Sequence, residues 1–231
     1  MLNNPFFFLQ DDEFVLTTAG IAVTIIMILI LLATSILIGA RLSKKTPERK
    51  TSALARNTLQ LVFSSAAMAL GIITSEVIPT LSLPMGGSIT LFSMLFITLI
   101  GYWYGLGAGL TAALAYGLLQ FVLDPKFLSF GQLLLDYILA FGALGLSGIF
   151  SNKKHGLILG YLTGVIGRYI FACIAGVVIW GIYAPEGMSP VVYSLTYQAT
   201  YILPETILTL IILALPPVKK ALDAIKRMAV V

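Results

Sequence analysis

The stretch that decides the fold is Gln132-Leu-Leu-Leu-Asp136-Tyr137-Ile-Leu-Ala-Phe141, an apolar segment that carries one carboxylate. A charged side chain at the centre of a membrane helix costs about 2.5–3.5 kcal/mol on insertion scales. Such a residue usually faces a pathway, a partner charge or a ligand. Asp136 is therefore the first candidate for a functional residue.

The composition of the whole chain indicates that this helix lies in a membrane. Hydrophobic residues make up 58% of the 231 residues, charged residues make up 10%, and the mean hydropathy is +0.99. Because soluble domains carry about 25% charged residues, we predict an integral membrane protein. With one cysteine, one histidine and no P-loop pattern, we expect no metal site, no other cofactor and no ATP hydrolysis by this chain.

The apolar runs predict an all-α protein with seven membrane-spanning helices, each near the length of about 20 residues that a bilayer requires. The predicted helices are 15–41, 57–78, 88–104, 107–123, 130–150, 156–182 and 191–215. A hydrophilic linker separates the first helix from the others. We therefore divide the chain into an additional N-terminal helix with its linker (1–56), a six-helix membrane domain (57–215) and a basic cytoplasmic tail (216–231).

The basic residues predict the orientation of these helices. With seven alternating spans, twelve of the fourteen Lys and Arg residues fall on one side of the membrane. Because Lys and Arg concentrate in cytoplasmic loops, we expect the N-terminus outside and the C-terminus inside. The twelve residues are Arg41, Lys44, Lys45, Arg49, Lys50, Arg56, Lys153, Lys154, Lys219, Lys220, Lys226 and Arg227.

Few other ionisable residues lie within the predicted spans. Arg168 and Glu205 both fall near the middle of their helices, and an ion pair between them would leave neither charge unpaired in hydrocarbon. Asp136 lies about two turns from the outer end of its helix, at a rise of about 1.5 Å per residue. Arg168 is therefore expected to be too deep to pair with Asp136.

Aromatic and amide side chains occur at the depth of Asp136, on the same and on neighbouring helices. They are Tyr137, Trp180, Tyr193 and Gln198. A carboxylate beside aromatic faces suits an organic cation, through charge pairing and cation–π attraction. An aromatic belt at the membrane interface uses the same residue types, and the residues alone leave that alternative open.

Small residues mark one face of the predicted helix 57–78. Ser65 and Ala69 lie four residues apart, and this spacing allows the backbones of two helices to approach closely. Both packing within the bundle and contact with a partner protein fit this face.

Five motifs of the chain resemble the thiamine-specific S component, the substrate-binding subunit, of energy-coupling factor (ECF) transporters. They occur in matching order within about residues 57–215. They are Gly86-Gly-Ser-Ile-Thr-Leu-Phe-Ser-Met94, Gly117-Leu-Leu-Gln120, Leu135-Asp-Tyr-Ile-Leu-Ala-Phe141, Gly167-Arg-Tyr169 and Trp180-Gly-Ile-Tyr-Ala-Pro-Glu-Gly-Met188. The first predicted helix lies outside the resemblance.

The resemblance implies a six-helix, non-enzymatic subunit that binds a vitamin, with thiamine as the first choice, near the outer face of a bacterial plasma membrane. A transmembrane coupling protein and two ATPase subunits would be its partners. Ser65 and Ala69 would then contact the coupling protein. A stand-alone facilitator or a proton-coupled transporter for a small aromatic or cationic metabolite is the alternative.

Taken residue by residue, the resemblance implies substrate contacts for Asp136, Tyr137, Trp180, Tyr193 and Gln198. Trp180 corresponds to the tryptophan that stacks on the ligand. Some positions depart from the family pattern, because Asp136 replaces a glutamate and Gln198 replaces an asparagine.

A third departure is Ala172, which stands where the family has a histidine. An alanine side chain can neither stack on a ligand nor form a hydrogen bond with it as an imidazole does. A thiamine precursor, such as the pyrimidine moiety, and a different vitamin therefore stay open beside thiamine.

Overall fold

A computed structural model of the chain describes residues 7–10, 13–16, 50–77, 81–82, 87–125 and 129–230. The helices are α1 (Lys50–Ile72), α2 (Ser93–Tyr104), α3 (Leu106–Leu123), α4 (Phe130–Phe150), α5 (Gly156–Val178), α6 (Pro190–Ala214) and α7 (Pro216–Ala229). The strands β1 (Phe7–Gln10) and β2 (Glu13–Leu16) pair antiparallel, as do β3 (Leu81–Ser82) and β4 (Ser88–Ile89). The predicted all-helical membrane fold is confirmed, with these short strands added.

Five of the described helices are long and apolar enough to cross a membrane. They are α3, α4, α5, α6 and the segment Arg56–Glu76, which consists of most of α1 and the π-helical turn that continues it. The predicted start of the first helix at residue 15 is wrong, because residues 15 and 16 lie in β2. Aromatic and β-branched residues such as Phe14 and Val15 favour extended structure. Residues 17–41 of that helix lie outside the described residues, so seven spans and their orientation stay predictions.

Helix α2 is shorter than the predicted helix 88–104. It begins at Ser93 because Ser88 and Ile89 pair with β3 instead. Its 12 residues extend over about 18 Å, which is less than the hydrocarbon thickness of about 30 Å. Its Met94, Ile97 and Ile100 are fully buried among the longer helices. A short and mostly apolar helix therefore lies buried among the longer helices.

The predicted ion pair between Arg168 and Glu205 is not formed in the part of the chain that the structure describes. Glu205 accepts hydrogen bonds from the Thr90 hydroxyl at 2.6 Å and from the backbone N–H of Met94 at 3.0 Å. The Ser93 hydroxyl is a third, longer donor at 3.3 Å. The first N–H groups of a helix lack partners within it. The Glu205 carboxylate on α6 is therefore bonded to donors at the beginning of α2, and it does not pair with a cation.

Glycines allow the backbones of α3 and α4 to approach each other to contact distance. A Cβ atom added to Gly145 on α4 would lie 2.6 Å from backbone atoms of Gly109 on α3. No side chain fits at that distance. The contact holds the middle of α4 against α3, below the segment that carries Asp136.

Two helices contain π-helical segments, in which the backbone hydrogen bonds span five residues. One is Ile73–Val77, which continues α1, and the other is Leu133–Leu139, within α4. Such segments occur frequently at functional sites. The second segment contains Asp136.

The predicted basic tail is the amphipathic helix α7, which packs on the bundle. Its Leu222 and Ile225 contact the core, and Ala229 is buried. Lys226 donates a hydrogen bond from Nζ to the Ser151 carbonyl at 2.8 Å and lies 3.6 Å from the centroid of the Tyr102 ring. Partial burial lowers the pKa of the Lys226 ammonium group from its usual value.

We expect Lys226→Met to destabilise the protein by about 1–2 kcal/mol, because it removes a hydrogen bond to a charged group and a cation–π contact. The measurement is the apparent melting temperature of the protein purified in detergent. Lys219→Met is the matched control, since Lys219 lies exposed on the same helix. Equal melting temperatures for the two variants would show that α7 is held by its apolar face alone.

Candidate functional site

A cavity of about 480 Å³ lies between the described helices. This volume is within the range of small-molecule sites, about 300–1,000 Å³. The structure brings all the predicted substrate-contact residues to its wall, although they come from different helices. They are Asp136, Tyr137, Trp180, Tyr193 and Gln198.

Asp136 is positioned by its π-helical segment and by Trp180. The indole Nε1 of Trp180 donates a hydrogen bond to Oδ2 of Asp136 at 3.0 Å. Trp180 begins the short 3-10 turn that follows α5, so this bond joins α4 to the end of α5. Trp180 therefore orients the carboxylate as well as lining the cavity.

The tyrosines of the cavity are fixed by ring contacts and by hydrogen bonds to the backbone. Tyr137 donates from its hydroxyl to the Asp124 carbonyl at 3.2 Å and packs edge-on against Phe121 at 5.0 Å between centroids. Tyr193 lies one turn before Tyr197 on α6, with the ring centroids 5.9 Å apart. Flat, rigid faces therefore lie on α4 and on α6.

Gln198 is buried, and both ends of its amide are held. Nε2 donates to the Ala172 carbonyl at 3.2 Å, and the Tyr201 hydroxyl donates to Oε1. Ala172 is buried beside it and contributes only a methyl group to the cavity wall. Where the resemblance implied a histidine, this chain therefore places a methyl group, and the backbone carbonyl of Ala172 holds Gln198.

The charges on the cavity wall favour a cationic ligand. Three acidic residues, Glu76, Asp124 and Asp136, line the cavity, and Arg168 is the one basic residue in its described lining. The Arg168 guanidinium carbon lies 4.3 Å from the centroid of the Phe141 ring. A cleft lined mostly by one sign of charge concentrates ligands of the opposite sign.

Sequence reasoning missed one polar part of the cavity wall, formed by Ser75, Tyr116 and Gln120. Gln120 donates from Nε2 to the Ser75 hydroxyl oxygen at 2.6 Å and to the Tyr116 hydroxyl oxygen at 2.7 Å. The signal was present, because Gln120 is an uncharged polar residue within an apolar helix.

The predicted partner-contact residues lie away from this cavity. Ser65 and Ala69 are exposed on α1, and only 11% of the residues in that span are buried within the protein. Leu61 and Val62 on the same helix are also exposed. α1 therefore presents a continuous face of small and apolar residues outside the bundle.

The chain is similar in sequence and fold to known proteins. The family model described as thiamine transporter protein (Thia_YuaJ) matches residues 61–224. Thiamine transporter ThiT of Bacillus subtilis (strain 168) is 40% identical in an alignment of 168 positions that covers 67% of this chain and 85% of that protein. Thiamine transporter ThiT of Lacticaseibacillus paracasei is 29% identical in an alignment of 138 positions that covers 52% of this chain and 69% of that protein.

A solved structure agrees with the sequence matches. ThiT from Listeria monocytogenes is 26% identical to the chain, with a TM-score of 0.53, and the match covers 72% of this chain and 97% of that one. The resemblance predicted from the five motifs is confirmed, since the family match extends over well more than half of the sequence. The chain belongs to the family of thiamine transporter proteins.

Proposed function

We propose that this protein is the substrate-binding membrane subunit of an ECF-type importer and that it binds thiamine in the cavity beside Asp136. Thiamine combines a cationic thiazolium ring with a flat aminopyrimidine. The observation that carries the proposal is the convergence of Asp136, Trp180, Tyr193 and Gln198 on one cavity with an excess of carboxylates. Charge pairing, aromatic stacking and amide hydrogen bonding are the interactions that such a ligand requires.

The energy for uptake would come from partner subunits. The chain has no P-loop pattern, so we propose that a transmembrane coupling protein and two ATPase subunits drive release of the vitamin. The exposed face around Ser65 and Ala69 supports contact with the coupling protein, because small residues allow helices to pack closely in a membrane.

We further propose seven spans in a bacterial plasma membrane, with the N-terminus outside and the C-terminus in the cytoplasm. The distribution of Lys and Arg supports this orientation. Under it, the cavity opens near the outer face, and α7 lies at the cytoplasmic end. The additional N-terminal helix would then accompany the six-helix domain.

Thiamine is expected to quench the tryptophan fluorescence of the purified protein, through Trp180. The chain has two tryptophans, and Trp103 is buried in the core away from the cavity lining. We expect Trp180→Phe to abolish the quenching and to weaken binding about five-fold, the effect of one lost hydrogen bond of about 1 kcal/mol. Titration calorimetry measures the dissociation constant.

Trp103→Phe is the matched control and should retain the quenching. Pyrimidine and thiazole fragments of thiamine, titrated separately, distinguish thiamine from a precursor as the preferred ligand. If neither thiamine nor its fragments change the fluorescence or the melting temperature of the wild-type protein, the thiamine assignment is wrong.

A further inference from the structure

The amide of Gln120 is held in one orientation by hydroxyl groups whose protons are already used. Ser75 donates from Oγ to the Ile72 carbonyl at 3.1 Å. Tyr116 donates its single proton either to the Gly71 carbonyl at 3.1 Å or to Ser75 Oγ at 3.2 Å. A hydroxyl has one proton and two lone pairs. Both hydroxyls therefore offer only lone pairs to Gln120.

The two ends of the Gln120 amide follow from these hydrogen bonds. Ser75 and Tyr116 accept hydrogen bonds from Gln120 at 2.6 and 2.7 Å, so the group that faces them is the NH₂ group. The two amide protons are then both used. The carbonyl oxygen Oε1 lies on the other side of the planar amide and has no donor among the described residues.

An acceptor of this kind is available to a ligand. Gln120 is 8% exposed, and it lines the cavity with Asp136 and Trp180. Oε1 is not fully enclosed by protein atoms, because the fully buried side-chain atoms without a partner lie elsewhere among the described residues. A ligand with a suitable donor can therefore take the place of the solvent that hydrates this oxygen.

We propose that Oε1 of Gln120 accepts a hydrogen bond from an N–H or O–H group of the substrate, in addition to the contacts proposed for Asp136 and Gln198. Gln120 is thus a specificity-determining residue that distinguishes ligands by a donor group. This inference rests on the proposed function. Thiamine carries two such donors, the amine of its pyrimidine ring and the hydroxyl of its side chain.

The test compares wild-type protein with Gln120→Met, which keeps the length of the side chain and removes the amide. Dissociation constants are measured by calorimetry for thiamine, for oxythiamine, in which a carbonyl oxygen replaces the amine, and for an analogue in which chlorine replaces the hydroxyl. We expect about ten-fold weaker binding of thiamine, the effect of one lost hydrogen bond to the ligand. The analogue that lacks the recognised donor should bind both proteins equally.

The pattern across ligands separates recognition from packing. An equal loss for all three ligands, or no loss for thiamine, overturns the inference. If the wild-type protein itself does not bind thiamine, the proposed function fails instead. Tyr116→Phe is a second variant, which frees one amide proton and leaves Gln120 in place. We expect it to cause a smaller loss with the same dependence on the ligand donor, and a uniform loss would again overturn the inference.

Discussion

Asp136→Asn is expected to weaken thiamine binding by about 100-fold. Asparagine keeps the shape of the side chain and can still accept the Trp180 hydrogen bond, but it removes the negative charge. Removing one partner of a buried charge pair costs about 2–5 kcal/mol, and about 2.7 kcal/mol corresponds to 100-fold. Calorimetric titration of the purified variant measures the effect.

Two comparisons show whether the charge is responsible. Asp136→Glu restores the carboxylate and should bind far more tightly than Asp136→Asn. Asp223→Asn makes the same chemical change on the exposed side of α7, away from the cavity, and should leave binding unchanged. Wild-type affinity in Asp136→Asn would make Asp136 a packing residue and remove the main support for a cationic ligand.

Ala69→Leu is expected to abolish vitamin uptake while leaving thiamine binding intact. Ala69 is exposed on α1, outside the cavity, so a larger side chain there does not alter the ligand site. Under the proposed coupling contact, the larger side chain would keep α1 and a helix of the coupling protein from approaching closely. Uptake of labelled thiamine by cells and co-purification of the ATPase subunits should both fall to the level of cells that lack the chain.

The control for this prediction is the same substitution on another helix. Ala214→Leu changes an exposed alanine at the end of α6 and should support normal uptake. Ser65→Leu should reproduce the effect of Ala69→Leu, since both residues lie on one face. If Ala69→Leu transports thiamine and retains its ATPase partners, the coupling contact lies elsewhere on the bundle.

Residues around Asp136 could be predicted as a group because each signal is local. Three signals can be read directly along the sequence. They are a carboxylate in an apolar helix, aromatic residues at matching depth and the Trp180–Met188 motif. Their depth follows from counting residues along a helix of constant rise. The structure brings Asp136, Tyr137, Trp180, Tyr193 and Gln198 to one cavity, and their role in binding stays a prediction.

The partners of the buried polar groups could not be predicted in the same way. Glu205 and Arg168 share a depth, so an ion pair was a reasonable expectation. Glu205 instead accepts a hydrogen bond from the backbone N–H of Met94 near the beginning of α2. That helix begins at Ser93 because Ser88 and Ile89 form β4. Neither the charge nor the depth of a residue indicates where a neighbouring helix begins.

The sequence by itself determined the class of this protein, the positions of its long helices and its family. Those features depend on composition, on hydrophobic runs and on motifs, which are properties of neighbouring residues along the chain. Only the tertiary structure decided the hydrogen-bond partners of the buried polar groups. Trp180 donates to Asp136, and Glu205 accepts from the backbone N–H of Met94 in α2. Gln120 donates from its NH₂ group to Ser75 and Tyr116, so its carbonyl oxygen faces away from them. A buried hydrogen bond depends on which donor on another helix arrives within about 3 Å, and that is set by packing.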